Sequence, residues 1–207
     1  MKLIIIGRGN AGCISAMHFA HFRKSLNTKV EIELIYDSKI KPVPTGQGTT
    51  LQFPDWLFWT FGSNYVNSFP VTQKTGIMYK NWGKKHKKIF HPFPLGRYAL
   101  HFSPDQFQDY VCNNLDIGFT ERDENIKSYD SLDADYIIDC RGTPKSLKGY
   151  ETLTNPLNCA LLANLPKKEN DVLWTGTTAT PDGWCFYIPL PNTTSIGYLF
   201  NTNITTV

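Results

Sequence analysis

Along the first forty residues the hydrophobic positions follow two rhythms. Leu3–Ile6 is a short continuous apolar run, largely β-branched, of the kind that fills a strand buried on both faces. Ala11–Lys24 then carries apolar residues at helical spacing, and Val30–Ile35 is a second strand ending near Asp37. Strand, helix, strand is the opening of an α/β fold. Ser38–Phe53, rich in Pro, Gly and Thr, is an ordered loop. Pro54-Asp55 opens a helix on which Trp56, Leu57, Trp59 and Phe61 form an apolar face. Val71–Trp82 alternates as one strand, Gly83–Lys88 is a basic turn, and Phe90–Leu100 is aromatic and broken by prolines. Ser103-Pro104-Asp105 caps a helix reaching about Asn114, with Ser103 as acceptor and proline at the first helical position. Ala134–Cys140 predicts a third buried strand. Val172–Thr178 and Trp184–Leu190 predict antiparallel strands, followed by Ser195–Phe200.

The junction of the first strand and helix carries Gly7, Gly9 and Gly12 at G-x-G-x-x-G spacing. Gly7 lets the chain turn sharply off the strand. Gly9 has no Cβ to hold a pyrophosphate away from the backbone, and Gly12 lets the helix pack tightly. Asn10 and Ala11 lie between them, where the first N–H groups of the helix point at the phosphates. Asp37, after the second strand, stands where an acid holds a ribose hydroxyl. This order predicts dinucleotide binding, although glycine-rich strand–helix turns also occur without any ligand.

Composition narrows the class. The chain has 207 residues, 41% hydrophobic, a content ordinary for a globular protein with room for one large domain, or one with a small appendage. No secretory leader is visible, and no apolar run approaches membrane-spanning length. Cys13, Cys112, Cys140, Cys159 and Cys185 are scattered and odd in number; with Cys13, Cys140 and Cys185 in apolar or glycine-rich contexts, they read as reduced core thiols of a cytoplasmic protein. A formal net charge of +3 is too small to argue for nucleic acid.

Four further segments can carry chemistry. In Pro42–Thr50, Gly46 and Gly48 stand among Thr45, Gln47 and Thr49, so backbone N–H groups can approach a flat ring or a phosphate; a tight structural loop is the simpler reading. In Lys74–Trp82, period two puts both Lys74 and Lys80 on the face of Trp82, where a desolvated ammonium can have a lowered pKa; two solvated lysines are the plainer alternative. The lysines at 80, 84, 85, 87 and 88, with His86 and His91 interleaved, are a solvated turn rather than a nucleic-acid patch, and the histidines lack metal-ligand spacing. In Gly183–Leu190, alternation puts Trp184, Phe186 and Ile188 on one face, a wall that can exclude water or simply fill a core.

Together these segments resemble the flavin-dependent halogenases, the tryptophan-halogenase-like branch of the FAD monooxygenase superfamily. The resemblance rests on Gly7, Gly9 and Gly12, on Asp37, on the glycine loop after Pro44, and on Trp184-Cys185-Phe186-Tyr187-Ile188-Pro189, a W-x-F-x-I-P where the family has W-x-W-x-I-P. Phe90-His91-Pro92-Phe93 is similar to the family's substrate-contacting aromatic-His-x-Phe, and Ala134–Gly142, with Arg141, to the strand before a flavin contact. The family's catalytic lysine precedes an Asn-Trp pair at a place that is Met78 here, which leaves Lys74 as first candidate and Lys80 as second.

The resemblance implies a Rossmann-like FAD-binding fold with an inserted antiparallel β substrate region. It implies that residues 1–207 are the N-terminal part of a longer halogenase whose helical C-terminal part is missing. FAD, reduced by a separate flavin reductase, would oxidise a halide with oxygen to hypohalous acid. A lysine would pass the halogen to a small electron-rich aromatic or heteroaromatic substrate. The implied cofactor contacts are Gly7, Gly9, Asn10, Ala11, Gly12, Asp37, Thr45, Gly46, Gln47, Gly48, Thr49 and Arg141. His91, Phe93, Trp184, Phe186, Ile188 and Pro189 are the implied substrate and tunnel residues. No metal, nucleic acid or membrane is expected, and a homodimer is an open expectation. An FAD hydroxylase and a non-catalytic flavin-binding fragment are the alternatives; halide dependence separates the first from a halogenase.

Overall fold

The computed structural model describes residues 1–206 apart from 117, 145, 152, 169 and 170. The chain opens with β1 (Lys2–Ile6), α1 (Asn10–Ser25), β2 (Glu31–Tyr36) and the two-residue β3 (Gln47–Gly48). Next come α2 (Phe53–Phe61), α3 (Tyr65–Ser68), β4 (Val71–Lys74), β5 (Gly76–Lys80), β6 (Lys88–Pro92) and β7 (Ala99–Phe102). After α4 (Pro104–Asn114) follow β8 (Phe119–Asp123), β9 (Tyr136–Asp139), β10 (Cys159–Pro166), β11 (Thr175–Thr180), β12 (Gly183–Pro189) and β13 (Thr193–Phe200). The chain alternates between two compact units. The first holds Met1–Val43, Asp55–Phe69 and Pro104–Gly149; the second holds Pro44–Pro54, Pro70–Ser103 and the stretch from Tyr150.

The first unit is built on a parallel sheet ordered β8-β2-β1-β9. Its two central strands are the apolar runs, and Leu3, Ile4, Ile5, Ile6, Ile32, Leu34 and Ile35 are all buried. Helix α1 buries Gly12, Cys13, Ala16, Met17 and Ala20, mostly small residues that allow close approach. Phe69 stacks on Tyr110 at 5.3 Å and meets Phe107 at 5.7 Å, so α4 is anchored by rings. The mixed α/β class and the parallel sheet are as expected. The predicted third buried strand is β9, but it is an edge strand with Tyr136 63% exposed, because nothing pairs beyond it. The other edge, β8, reads Phe-Thr-Glu-Arg-Asp and has no apolar run to reveal it.

The second unit contains a six-stranded sheet ordered β10-β13-β12-β11-β5-β6 and a three-stranded sheet ordered β3-β7-β4. All neighbours are antiparallel except β11 with β5. The single strand expected over Val71–Trp82 is two strands in different sheets, β4 and β5. The chain changes sheet at Thr75, whose N–H and hydroxyl both donate to the Leu173 carbonyl, at 2.7 and 2.8 Å. Asn81, with φ of 61°, then ends β5 before Trp82. Of the three cysteines read as core thiols, Cys13 is buried, whereas Cys140 and Cys185 are half-buried; Cys112 is the other buried thiol.

Leu34 is fully buried at the centre of the parallel sheet. Leu34→Ala should therefore cost about 2–5 kcal/mol of unfolding free energy, measured by urea denaturation.

Candidate functional site

In the first unit the glycine turn follows β1 directly. Gly7 has φ of +107°, and a Cβ there would press on the Cys140 carbonyl at 2.9 Å; a Cβ on Gly12 would run into the Gly7 carbonyl. Both glycines are required by the fold itself. Gly9 differs, because a Cβ there would meet nothing within 4 Å, so packing of the chain gives no reason for glycine. Gly9 caps α1 with its backbone alone, leaving the first helical N–H groups without a side-chain acceptor. That is the geometry a pyrophosphate uses, and a Cβ would stand in its approach.

These residues border a cleft of about 520 Å³, together with Arg8, Asp37, Asn125 and Arg141. Ala11 is exposed, and the Asn10 Oδ1 accepts from Gln108 Nε2 at 3.2 Å. Asp37 accepts from Asn125 Nδ2 at 2.6 Å and from the Lys39 N–H at 2.9 Å. It is therefore held in place after β2 with acceptor capacity to spare. Arg141 is clamped by Asp139, its Nη2 to Oδ2 at 2.6 Å, and this pair holds the Asp139 carboxyl well below its usual range. Arg8 bridges Glu121 at 2.9 Å and Asp109 at 3.1 Å. The sequence gives Arg8 no distinction beyond its place inside the glycine motif.

In the second unit the loop Thr45–Thr49 is clamped at both ends. The Gly46 N–H donates to the Ser195 hydroxyl at 2.9 Å, and a Cβ on Gly46 would lie 3.0 Å from Ile188 and Ser195. Thr49 exchanges two 2.9 Å bonds with Leu100: its N–H to the carbonyl, and its Oγ1 from the N–H. Between them, Gln47 and Gly48 pair with Phe102 and His101 of β7.

Lys74 ends β4 inside this cluster, 8% exposed. Glycine at 48 leaves room for it, since a Cβ there would lie 3.2 Å from the Lys74 Nζ. The ammonium sits 5.6 Å over the Phe93 ring and has no carboxylate partner among the described residues. Burial lowers its pKa from the ordinary lysine value. His101, fully buried beside it, bonds the Thr175 hydroxyl through Nε2 at 2.8 Å, while its Nδ1 is buried without a hydrogen-bond partner. Burial first, and then Lys74, lowers the His101 pKa to about 3, so the ring is neutral. His101 was missed from sequence. Its signal is a histidine inside Ala-Leu-His-Phe, a strand buried at all four positions.

The two lysines do not share a face. Met78 and Lys80 pair with Gly176 and Thr178 and border a groove with them. Lys74 instead lies toward Thr175, and Trp82 donates its Nε1–H to the Thr177 hydroxyl at 3.0 Å. Thr175 and Thr177 project opposite to Gly176 and Thr178 by strand alternation. The crossing at Thr75 and the left-handed Asn81 break the expected period. Lys80 is exposed.

The expected aromatic row is present on β12: Trp184 and Phe186 have ring centroids 6.2 Å apart, with Ile188 and Pro189 buried beyond them. Trp82 extends it, 6.1 Å from Trp184, a membership hidden by its remote place in the chain. Phe186 lies over Gly197, where a Cβ would collide with its ring. His91 is exposed on β6, paired with Ile77, and Phe93 is half-buried.

A parallel sheet with a glycine-lined cleft, joined in one chain to a lysine cluster under an aromatic strand, defines a nucleotide-binding protein of the flavoenzyme kind. The tryptophan halogenase family model matches residues 2–124 and 120–206, and the chain belongs to that family. It is similar to a tryptophan 6-halogenase from Streptomyces toxytricini, with 16% identity and a TM-score of 0.82 over 99% of this chain and 57% of that one. A flavin-dependent halogenase from Xanthomonas campestris gives 18% identity and 0.83 over 98% and 56%. A tryptophan halogenase from Shewanella frigidimarina gives 19% and 0.74 over 100% and 57%. The chain thus spans a little over half the length of these structures. No curated protein matches it by sequence.

Two measurements probe these sites. Gly9→Val should leave the melting temperature near that of the parent and abolish FAD binding in a fluorescence titration, whereas Gly12→Ala should unfold the first unit. Unchanged FAD affinity in Gly9→Val would remove the pyrophosphate from this turn. For Lys74, the lowered folded pKa means that the unfolded chain binds a proton the folded chain releases. Stability therefore falls as the pH drops from the ordinary lysine value, about 10.4, through the lower folded one. Lys74→Met should melt higher than the parent at pH 7, with the gap closing toward pH ~10.5.

Proposed function

We propose that this chain forms the FAD-binding part of a flavin-dependent halogenase acting on a small electron-rich arene. In the first unit Gly7, Gly9, Asn10, Ala11 and Gly12 would hold the pyrophosphate, Asp37 the adenosine ribose, and Arg141 the edge of the cleft. In the second, the loop Thr45–Thr49 would present backbone to the flavin ring. Reduced FAD, supplied by a separate flavin reductase, would provide the oxygen chemistry that converts halide to hypohalous acid. The five free cysteines fit the reducing cytoplasm in which such a pair would work.

The observation that carries this reading is Lys74, a buried amine without a carboxylate, beside the glycine loop. Its lowered pKa raises the uncharged fraction at neutral pH. The uncharged amine can take halogen from hypohalous acid: a nitrogen–halogen bond forms as the oxygen–halogen bond breaks, and water leaves with the amine proton. A fully charged ammonium has no lone pair for that step. Phe93 over the ammonium and neutral His101 keep the pocket free of negative charge that would restore the proton. The row Trp82, Trp184 and Phe186 would exclude water and keep the substrate from the flavin. Lys80 is the second candidate, standing with Met78 on the opposite face of the sheet.

The test supplies the chain with FAD, a flavin reductase, halide and an electron-rich arene. Lys74→Ala should stop halogenated product while flavin reoxidation continues, and Lys80→Ala should leave some product. The reverse result transfers the role to Lys80, and two fully active variants overturn the lysine mechanism. Hydroxylated product independent of halide would mark a hydroxylase. FAD binding without any product from the parent would mark a flavin-binding segment.

A further inference from the structure

Within the second unit, the Met78 side of the six-stranded sheet carries a groove of about 590 Å³, a size that takes a small organic ligand. Its lining is apolar and aromatic, with Met78, Leu161, Trp174 and Tyr198 among the side chains, and it includes no aspartate or glutamate among the described residues. Trp174 is braced by Phe90, ring centroids 5.2 Å apart. Two charges border this surface, and both are positive. Lys80 and Lys88 are register partners across β5 and β6, so their side chains stand side by side on one face. Like charges placed directly opposite oppose the pairing of their strands. Neither lysine makes an ion pair with any described acid.

An apolar floor with two uncompensated cations at one edge is complementary to a molecule of matching polarity. We infer that the groove binds an aromatic carboxylate, its ring against Met78 and Trp174 and its carboxylate between the Lys80 and Lys88 ammonium groups. The ring stays with apolar surface, while the carboxylate removes the repulsion between the lysines and gains charge-assisted hydrogen bonds from both. A neutral arene would gain only the first of these. The site stands on the groove alone and needs no flavin, halide or turnover.

The test is calorimetric titration of the chain, without flavin, with 4-hydroxyphenylacetate and with its neutral amide. The acid should bind saturably and the amide about tenfold more weakly. Lys80→Met and Lys88→Met should each weaken the acid and leave the amide unchanged; both lysines are exposed, so both variants should keep the parent's melting temperature. Added salt should weaken the acid alone. Equal affinity for acid and amide, no binding of the acid, or indifference to both lysine variants overturns the inference. So does a dimer in sedimentation that Leu161→Asp dissociates, since the groove would then be covered by a second copy. Because no chemistry is involved, these results are independent of whether the halogenase reaction is found.

Discussion

At Thr75 the chain leaves one sheet and enters another, and the arrangement of the second unit depends on that crossing. Thr75 donates twice to the Leu173 carbonyl, and its own carbonyl accepts from the Phe93 N–H at 2.8 Å. These bonds tie β4, β5 and the segments flanking β6 and β11 to one residue. Lys74, just before the crossing, stays with the three-stranded sheet and is buried beside β7. Residues after it join the parallel pair with β11, and Met78 and Lys80 point into the groove. A continuous strand would have put Lys74, Met78 and Lys80 on one side. The crossing separates them, and a dry and a wet lysine environment arise six residues apart.

Glycine sets the second constraint, for different reasons at different places. Gly7 and Gly12 are demanded by backbone contacts within the first unit, and Gly48 by the approach of the Lys74 amine. At Gly9 no atom of the protein lies near the missing Cβ. A residue whose smallness serves no internal contact points to an external one, so Gly9 speaks more directly for a ligand than the other two glycines of the motif.

The elements legible in the sequence were those whose pattern is local. The apolar runs of β1 and β2, the helical rhythm of α1, the cap of α4 and the alternation of β12 each depend on residues a few positions apart. β8 and β9 were poorly legible because edge strands need no continuous apolar face. In the lysine cluster, Gly46, Gly48 and Lys74 stood out by type and context. His101, Thr175 and Ser195 did not, because their roles arise from pairing across 27 to 149 positions of chain, as in the bond from Gly46 to Ser195. Trp82 was visible as an aromatic residue but was assigned to the wrong face, since neither the sheet change at Thr75 nor the left-handed turn at Asn81 has a strong signature. Asparagine is nonetheless among the few residues that adopt that turn readily.

The two lysine environments suit opposite halves of one chemistry. An amine that accepts an electrophile needs its lone pair, and burial without an acid provides it by making the charged form costly. An amine that holds an anion needs its proton, and solvent with a neighbouring apolar floor preserves it. Lys74 meets the first condition and the pair Lys80–Lys88 the second. Between them along the chain stands Met78, which can do neither, at the place where related halogenases carry lysine. Loss of an amine there removes a charge from the groove floor, so the floor is apolar and its remaining positive charges lie at the edge. A groove of that polarity favours substrates that bring their own negative charge, and shifts the burden of handling the halogen to a lysine on the other side of the sheet.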